Sequence, residues 1–167
     1  VDLQSMSFYN GSADQLLDRT YTFASDTEWI ASWADNYADA DVVNTTDYYY
    51  GSGIYLLNSA VAKGKFSADF TSSTKIQAIN FYNGSADQLL DRSYSLKADT
   101  LLTMNGAVWT DGYTATNVVN TTDYNYGSGI YLLNSAVAKG KFSSNFTTAV
   151  DLQSMSFYNG SADQLLD

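Results

Sequence analysis

The chain has no cysteine, no histidine and no proline. Without Cys there is neither a disulfide framework nor a thiolate metal site, and without His the usual nitrogen ligands of transition metals are missing too. Secretion stays open, because a sufficiently large β core holds without disulfides. Serine and cysteine triads of the usual kind cannot be built, since both depend on an imidazole. Basic residues are also scarce: eight Lys and Arg stand against 18 Asp and Glu, for a formal net charge of −10. That balance argues against nucleic acid and anionic membrane surfaces as partners, because no basic patch or stripe exists. No apolar run approaches the roughly 18 residues of a membrane span, so no membrane insertion is expected.

Aromatic residues are plentiful, with 14 Tyr, 8 Phe and 3 Trp in 167 residues, and 45% of the chain is hydrophobic. A core can therefore be built, as one domain or two small ones. The dominant feature is repetition. "FYNGSADQLLD" starts at Phe8, Phe81 and Phe157, and "VVNTTDYYYGSGIYLLNSAVAKGKFS" at Val42 returns at Val118 with one change, Tyr49 to Asn125. The offset is 73 residues early in the unit and 76 later, so the unit is about 75 residues long. The first 18 residues recur unchanged as residues 150–167, which gives a super-period of 149. The resulting division is a terminal hairpin of a preceding repeat at 1–18, unit A at 19–91 and unit B at 92–167.

Strand and turn signals fill each unit. Asn-Gly within alternating residues is the strongest short-range hairpin signal, because both central residues of that turn take φ > 0. Hairpin bends are therefore expected at Asn10-Gly11, Asn83-Gly84 and Asn159-Gly160. "WADNYADADVV" at Trp33 and "WTDGYTATNVV" at Trp109 share a W-x-D-x-Y frame and predict a further bend at Asp35-Asn36 and Asp111-Gly112. "GIYLLNSAVAKGKFSADF" predicts two strands around Asn58 and Ser59. In "DYYYGSG" the alternation pairs Tyr48 with Tyr50, and the change of Tyr49 to Asn125 predicts a solvent-facing position between them. "SADQLLD" has a rival reading as a short helix capped by Ser12 and Gln15, although seven residues are marginal without tertiary support. The fold class is all-β: two tandem antiparallel β-sandwich-like repeats of about 75 residues plus the first hairpin of a third. A β-solenoid is the alternative.

Four kinds of site are available to these residues. Paired carboxylates among Asp14, Asp18, Asp35 and Asp47 match glycoside hydrolysis in residue type only, and turn-forming duties already account for Asp14 and Asp18. The chain is not expected to be an enzyme. Calcium is the one ion for which hard oxygen donors cluster, at Asp35, Asn36, Asp39 and Asp41, but the spacing is not that of an EF-hand loop. The second copy also replaces Asp39 with Ala115 and Asp41 with Asn117. Trp29, Trp33, Tyr48 and Tyr50 could stack on sugar rings, although the same residues also suit a thin β core. N-x-[ST] sequons fall at Asn10, Asn44, Asn83, Asn120, Asn145 and Asn159, so a glycoprotein is within reach in a glycosylating host.

Near-exact repetition serves length, spacing or multivalency better than it serves chemistry. The expected function is structural and extracellular: a segment of a cell-surface filament, sheath, surface layer or adhesin stalk that self-associates by strand pairing. A tandem carbohydrate-binding module with glycan partners is the alternative.

Overall fold

The computed structural model describes residues 2–29, 35–146 and 151–160. The chain is all-β, and the described residues contain no α-helix. Nine strands form one open antiparallel sheet: β1 (Ser5–Tyr9), β2 (Leu17–Phe23), β3 (Val42–Tyr49), β4 (Asn58–Lys63), β5 (Ala78–Tyr82), β6 (Leu90–Leu96), then β9 (Val118–Asn125), β10 (Asn134–Lys139) and β11 (Leu152–Phe157). Between β6 and β9 a separate two-stranded hairpin is inserted, β7 (Met104–Asn105) and β8 (Val108–Trp109). Every neighbour in the large sheet is also the next of its strands in the chain, so the topology is a meander. β-branched and aromatic residues at alternate positions make these segments strands, as in "VVNTTDYY".

Two separate sandwiches are not formed. Counted from Val1, Thr74 and Val150, where the sequence starts over, successive copies enter the same sheet through the β4–β5 pairing, where Ala60 faces Ile79. A β-solenoid is likewise excluded for the described residues, because neighbouring strands run antiparallel. One face of the sheet carries Met6, Tyr21, Phe23, Ala60, Ala62, Ile79, Tyr94 and Leu96, all buried. Connections take the place of a second sheet: Tyr37, Phe70, Ile76, Leu102, Trp109 and Tyr113 descend onto that face and complete the core. The opposite face is uncovered and bears mainly Ser, Thr, Asn and Tyr, as in the row Tyr48–Ser59–Asn80–Ser93–Thr122.

The register slides as the copies succeed one another. Across the covered face, Arg19, Asp47 and Ala60 lie in one row with Ile79, Tyr94, Thr121 and Ala138. The second-copy counterparts of Arg19, Asp47 and Ala60 are Arg92, Asp123 and Ala136, which sit two residues away from that row. Each group of four strands is therefore offset by two residues from the next, which preserves the facing of every side chain.

The turns differ from expectation in detail. Asn83-Gly84 opens a loop between β5 and β6, and only the glycine takes positive φ, at 64°; Asn83 is not among the positive-φ residues. A two-residue turn of the expected type needs both. Here the Asn83 side-chain oxygen accepts from the Ser85 and Leu89 amides instead, and Asn10 does the same with the Ser12 amide. "SADQ" is a single turn in both copies, closed by Gln15 N–H to Ser12 O and Gln88 N–H to Ser85 O, so the helical alternative is not formed. Asn58 and Ser59 do not turn the chain; they begin β4. Asp111-Gly112 is no hairpin bend either, since Gly112 lacks positive φ and packs on Thr103. The bend falls at Gly106, whose φ of 62° at the first central position suits a type II′ turn.

Candidate assembly interface

Conserving the hydroxyl of a buried tyrosine dictates the W-x-D-x-Y frame. Tyr94 is fully buried, and its hydroxyl lies 3.0 Å from Asp111 Oδ2 and 2.9 Å from the Phe142 carbonyl, two acceptors for one proton. Lys141 Nζ reaches Asp111 Oδ1 at 2.9 Å and donates to the Tyr113 carbonyl at 2.7 Å. The first copy makes the same set: Tyr21 OH to Asp35 Oδ2 at 2.8 Å and the Phe66 carbonyl at 3.0 Å, Lys65 to Asp35 at 2.8 Å and to the Tyr37 carbonyl at 2.8 Å. Burial, followed by the neighbouring carboxylate, pushes both phenols up to about 12. These polar anchors pin the covering connections to the sheet, because a buried hydroxyl without an acceptor would be costly.

The second set of contacts joins the copies. Tyr49 stacks on Trp109 with ring centroids 5.4 Å apart and planes 8° from parallel, and Phe70 lies against the same indole at 6.4 Å. Trp109 comes from the second copy, whereas Tyr49 and Phe70 come from the first. Tyr49 thus faces the covered side, contrary to the solvent-facing position expected. Its counterpart Asn125 is exposed, and its side-chain oxygen accepts from the Gly127 amide.

Leu57 supplies the third contact. Its carbonyl accepts from the Tyr82 amide at 2.9 Å, and its side chain lies over Gly84, where an added Cβ would come within 2.8 Å of Leu57 Cδ2. The pattern recurs one copy on: Tyr158 N–H bonds the Leu133 carbonyl at 2.8 Å, and a Cβ at Gly160 would meet Leu133 Cδ2 at 2.7 Å. Gly84 and Gly160 are therefore required twice, for positive φ and for the close approach of a leucine from the preceding copy. Sequence reasoning found the first reason and missed the second. The only signal was the fixed spacing of Gly, Leu and Asn-Gly in every copy.

The remaining sequence candidates are dispersed. Trp29 packs at the margin of the Met6–Tyr21 cluster, and Trp33 lies outside the described residues. Tyr48 and Tyr50 stand near Tyr82 on the open-face side, with the Tyr48 hydroxyl 3.3 Å from Thr20 Oγ1. Among the proposed calcium ligands, Asp35 is held by Lys65 and Tyr21, and Asp41 accepts from the Ala38 amide. Among the described residues no three His, Cys, Asp or Glu side chains converge as a metal site. Asn10, Asn83, Asn145 and Asn159 are exposed, while Asn44 and Asn120 are half-buried on the open face. Of the carboxylates considered for hydrolysis, Asp14 lies in a turn, Asp18 pairs with Arg19 at 3.3 Å, Asp35 is held by Tyr21 and Lys65, and Asp47 accepts from the Phe70 amide.

Asp47 lies beneath this layer. Its Oδ2 accepts from the Phe70 amide at 2.6 Å, while burial drives its carboxyl up to about 6. A pKa above the ordinary 3.8 means that the folded chain holds the proton more tightly than the unfolded chain. The stabilisation is complete below pH 3.8 and is lost as pH rises through 6. Asp47→Asn should remove this component, altering the difference in unfolding free energy between pH 4 and 7 by about 2 kcal/mol relative to the parent. Urea titrations at the two pH values check it, and parallel pH profiles in parent and variant would refute it.

No protein-family model matches the chain, and neither does any curated protein or solved structure. Among the described residues no helix is long and apolar enough to cross a membrane.

Proposed function

We propose that this chain is a structural, extracellular β-array segment whose copies join edge to edge into a filament, sheath or stalk. The reading divides it into a leading hairpin at 1–18 and units at 19–91 and 92–167. The observation that carries it is the doubled joint. The strand pair and leucine-over-glycine contact that link β4 to β5 are made again between β10 and β11. Counted from Val1, Thr74 and Val150, this joint is already a seam between copies inside the chain, and the same sequence fixes its register and side-chain fit for a seam between chains. The polar Ser, Thr and Asn face keeps such a sheet wettable on one side, and the net charge of −10 opposes random aggregation.

Electron micrographs of the concentrated chain test the reading. Unbranched filaments of uniform width are the expected result. Dispersed single-chain particles at every concentration would overturn it.

The open-face tyrosines support a second reading, as a platform for sugar rings. Burial, with Tyr48 and Tyr124 nearby, raises the Tyr82 hydroxyl above its ordinary value, which places the three rings in one neighbourhood. Glycan-array binding that disappears in Tyr48→Ala and Tyr124→Ala would favour that reading over a purely structural role.

A further inference from the structure

We propose that the outer edge of β1, with the cleft at Gly11, accepts β10 and Leu133 of a second copy of this chain, in place of that copy's own β11. The proposal rests on the assembly reading above and specifies its joint. β1 and β11 are the outermost strands of the sheet, and they carry the same sequence from Leu3 to Gly11 and from Leu152 to Gly160. Their internal counterpart, β5, receives a strand reading "NSAVAK" on one side, as does β11. The glycine following each of these two strands is overlaid by a leucine, at 2.8 Å for Gly84 and 2.7 Å for Gly160. Among the described residues nothing lies within 4 Å of an added Cβ at Gly11. β1 thus presents the same half of a seam that is filled at both other places.

The choice of occupant follows from what β11 leaves uncovered. Leu152, Met155 and Phe157 are 46%, 46% and 54% exposed, whereas the equivalent Met6 is 6% exposed and Ile79 is fully buried. The difference arises because β1 is backed by β2 and Tyr21, and β5 by β6 and Tyr94. An incoming β1 brings the same side chains to β10, together with its own β2, so the exchanged joint buries what the intramolecular strand exposes. Identity of sequence leaves every contact on the β10 side unchanged. The tether gives β11 a high effective concentration, so exchange is favoured by concentrating the chain or by weakening β11.

Two substitutions in the full chain separate donor from acceptor. Tyr158 N–H points to β10, and Ser156, two residues earlier, shares that side of the ladder; Ser156→Pro removes a ladder bond from β11 and leaves β1 intact. In sedimentation velocity this variant should show a weight-average mass that rises by at least about twofold as the chain is concentrated, as expected when a tethered competitor is weakened. Adding Gly11→Asn should return it to a monomer. Asn tolerates the φ of 70° at this position and fits the open space, but it collides with an incoming Leu133.

Two results would overturn the joint: a Ser156→Pro chain that stays monomeric while amides 152–157 exchange freely, or association that Gly11→Asn does not reduce. The latter leaves assembly standing through another surface, and micrographs then decide the broader reading independently. If β11 remains protected in the proline variant, oxidation of Gly11→Cys/Leu133→Cys decides. The parent chain is cysteine-free, so linked chains on a non-reducing gel support the joint and their absence removes it. Leu57→Cys/Gly84→Cys, which should close within one chain, controls for geometry.

Discussion

Trp109→Ala is expected to lower the unfolding free energy by about 3–5 kcal/mol, the usual loss for removing a large buried aromatic. The indole is 8% exposed and is clasped between Tyr49 and Phe70 of the first copy and the core of the second. Its removal opens a cavity at the seam and strips both first-copy rings of their partner. Tyr49→Asn reproduces the change found naturally at position 125 and should cost less, since Tyr49 is only partly buried. A double-mutant cycle between the two should return a coupling of about 1 kcal/mol for the stacked pair. Urea denaturation supplies all the values needed. Strict additivity, or a Trp109→Ala loss below about 1 kcal/mol, would remove the indole from the seam's energetics.

The second large effect is expected at Asp111. Alanine there leaves Lys141 without its ion-pair partner and deprives the buried Tyr94 hydroxyl of one of its two acceptors. Breaking such a set should cost about 3 kcal/mol, toward the lower end for interior ion pairs because solvent still screens the site. The side chains of Lys141 and Asp111 are 18% and 27% exposed, which is why the lower figure applies. Asp111→Asn keeps an oxygen for the tyrosine and should lose less than Asp111→Ala. Denaturant midpoints for the two variants provide the check. An alanine variant as stable as the asparagine one would mean that the tyrosine hydroxyl is satisfied by the Phe142 carbonyl alone.

The strands were legible because alternation and β-branched runs speak directly about a pleated chain. "VVNTTDYY" and "NSAVAK" each became one strand. What alternation cannot convey is which of the two faces will be covered, since a period of two treats them alike. That is why Tyr48 and Tyr50 were correctly separated from Tyr49 and yet the solvent side was assigned to the wrong partner. Substitution by Asn125 suggested exposure, and Asn125 is indeed exposed, whereas Tyr49 stacks on Trp109 of the following copy. The choice of sandwich failed for a related reason: nothing local distinguishes a covering strand from a covering loop. Asp35 and Asp111 looked like turn residues because aspartate favours turns, and their true partners lie 14 and 17 residues away in sequence, on the sheet. Gly11, Gly84 and Gly160 were identified for their backbone freedom, while the close approach of leucine at the latter two depends on a neighbour that periodicity alone does not place.

The two-residue offset between successive groups of four strands makes the sheet a ramp. Two residues of strand amount to about 6.6 Å, and four strands span about 19 Å, so the direction of growth leans about 19° away from the perpendicular to the strands. Any ribbon extended by the same joint inherits that lean at every addition. Combined with the right-handed twist of its strands, the ribbon cannot remain straight-edged; its two margins become the threads of a screw. The Asn-Gly loops would then climb around the fibre as a spiral of evenly spaced points, with one hand set by the register of a single pairing, Ala60 opposite Ile79.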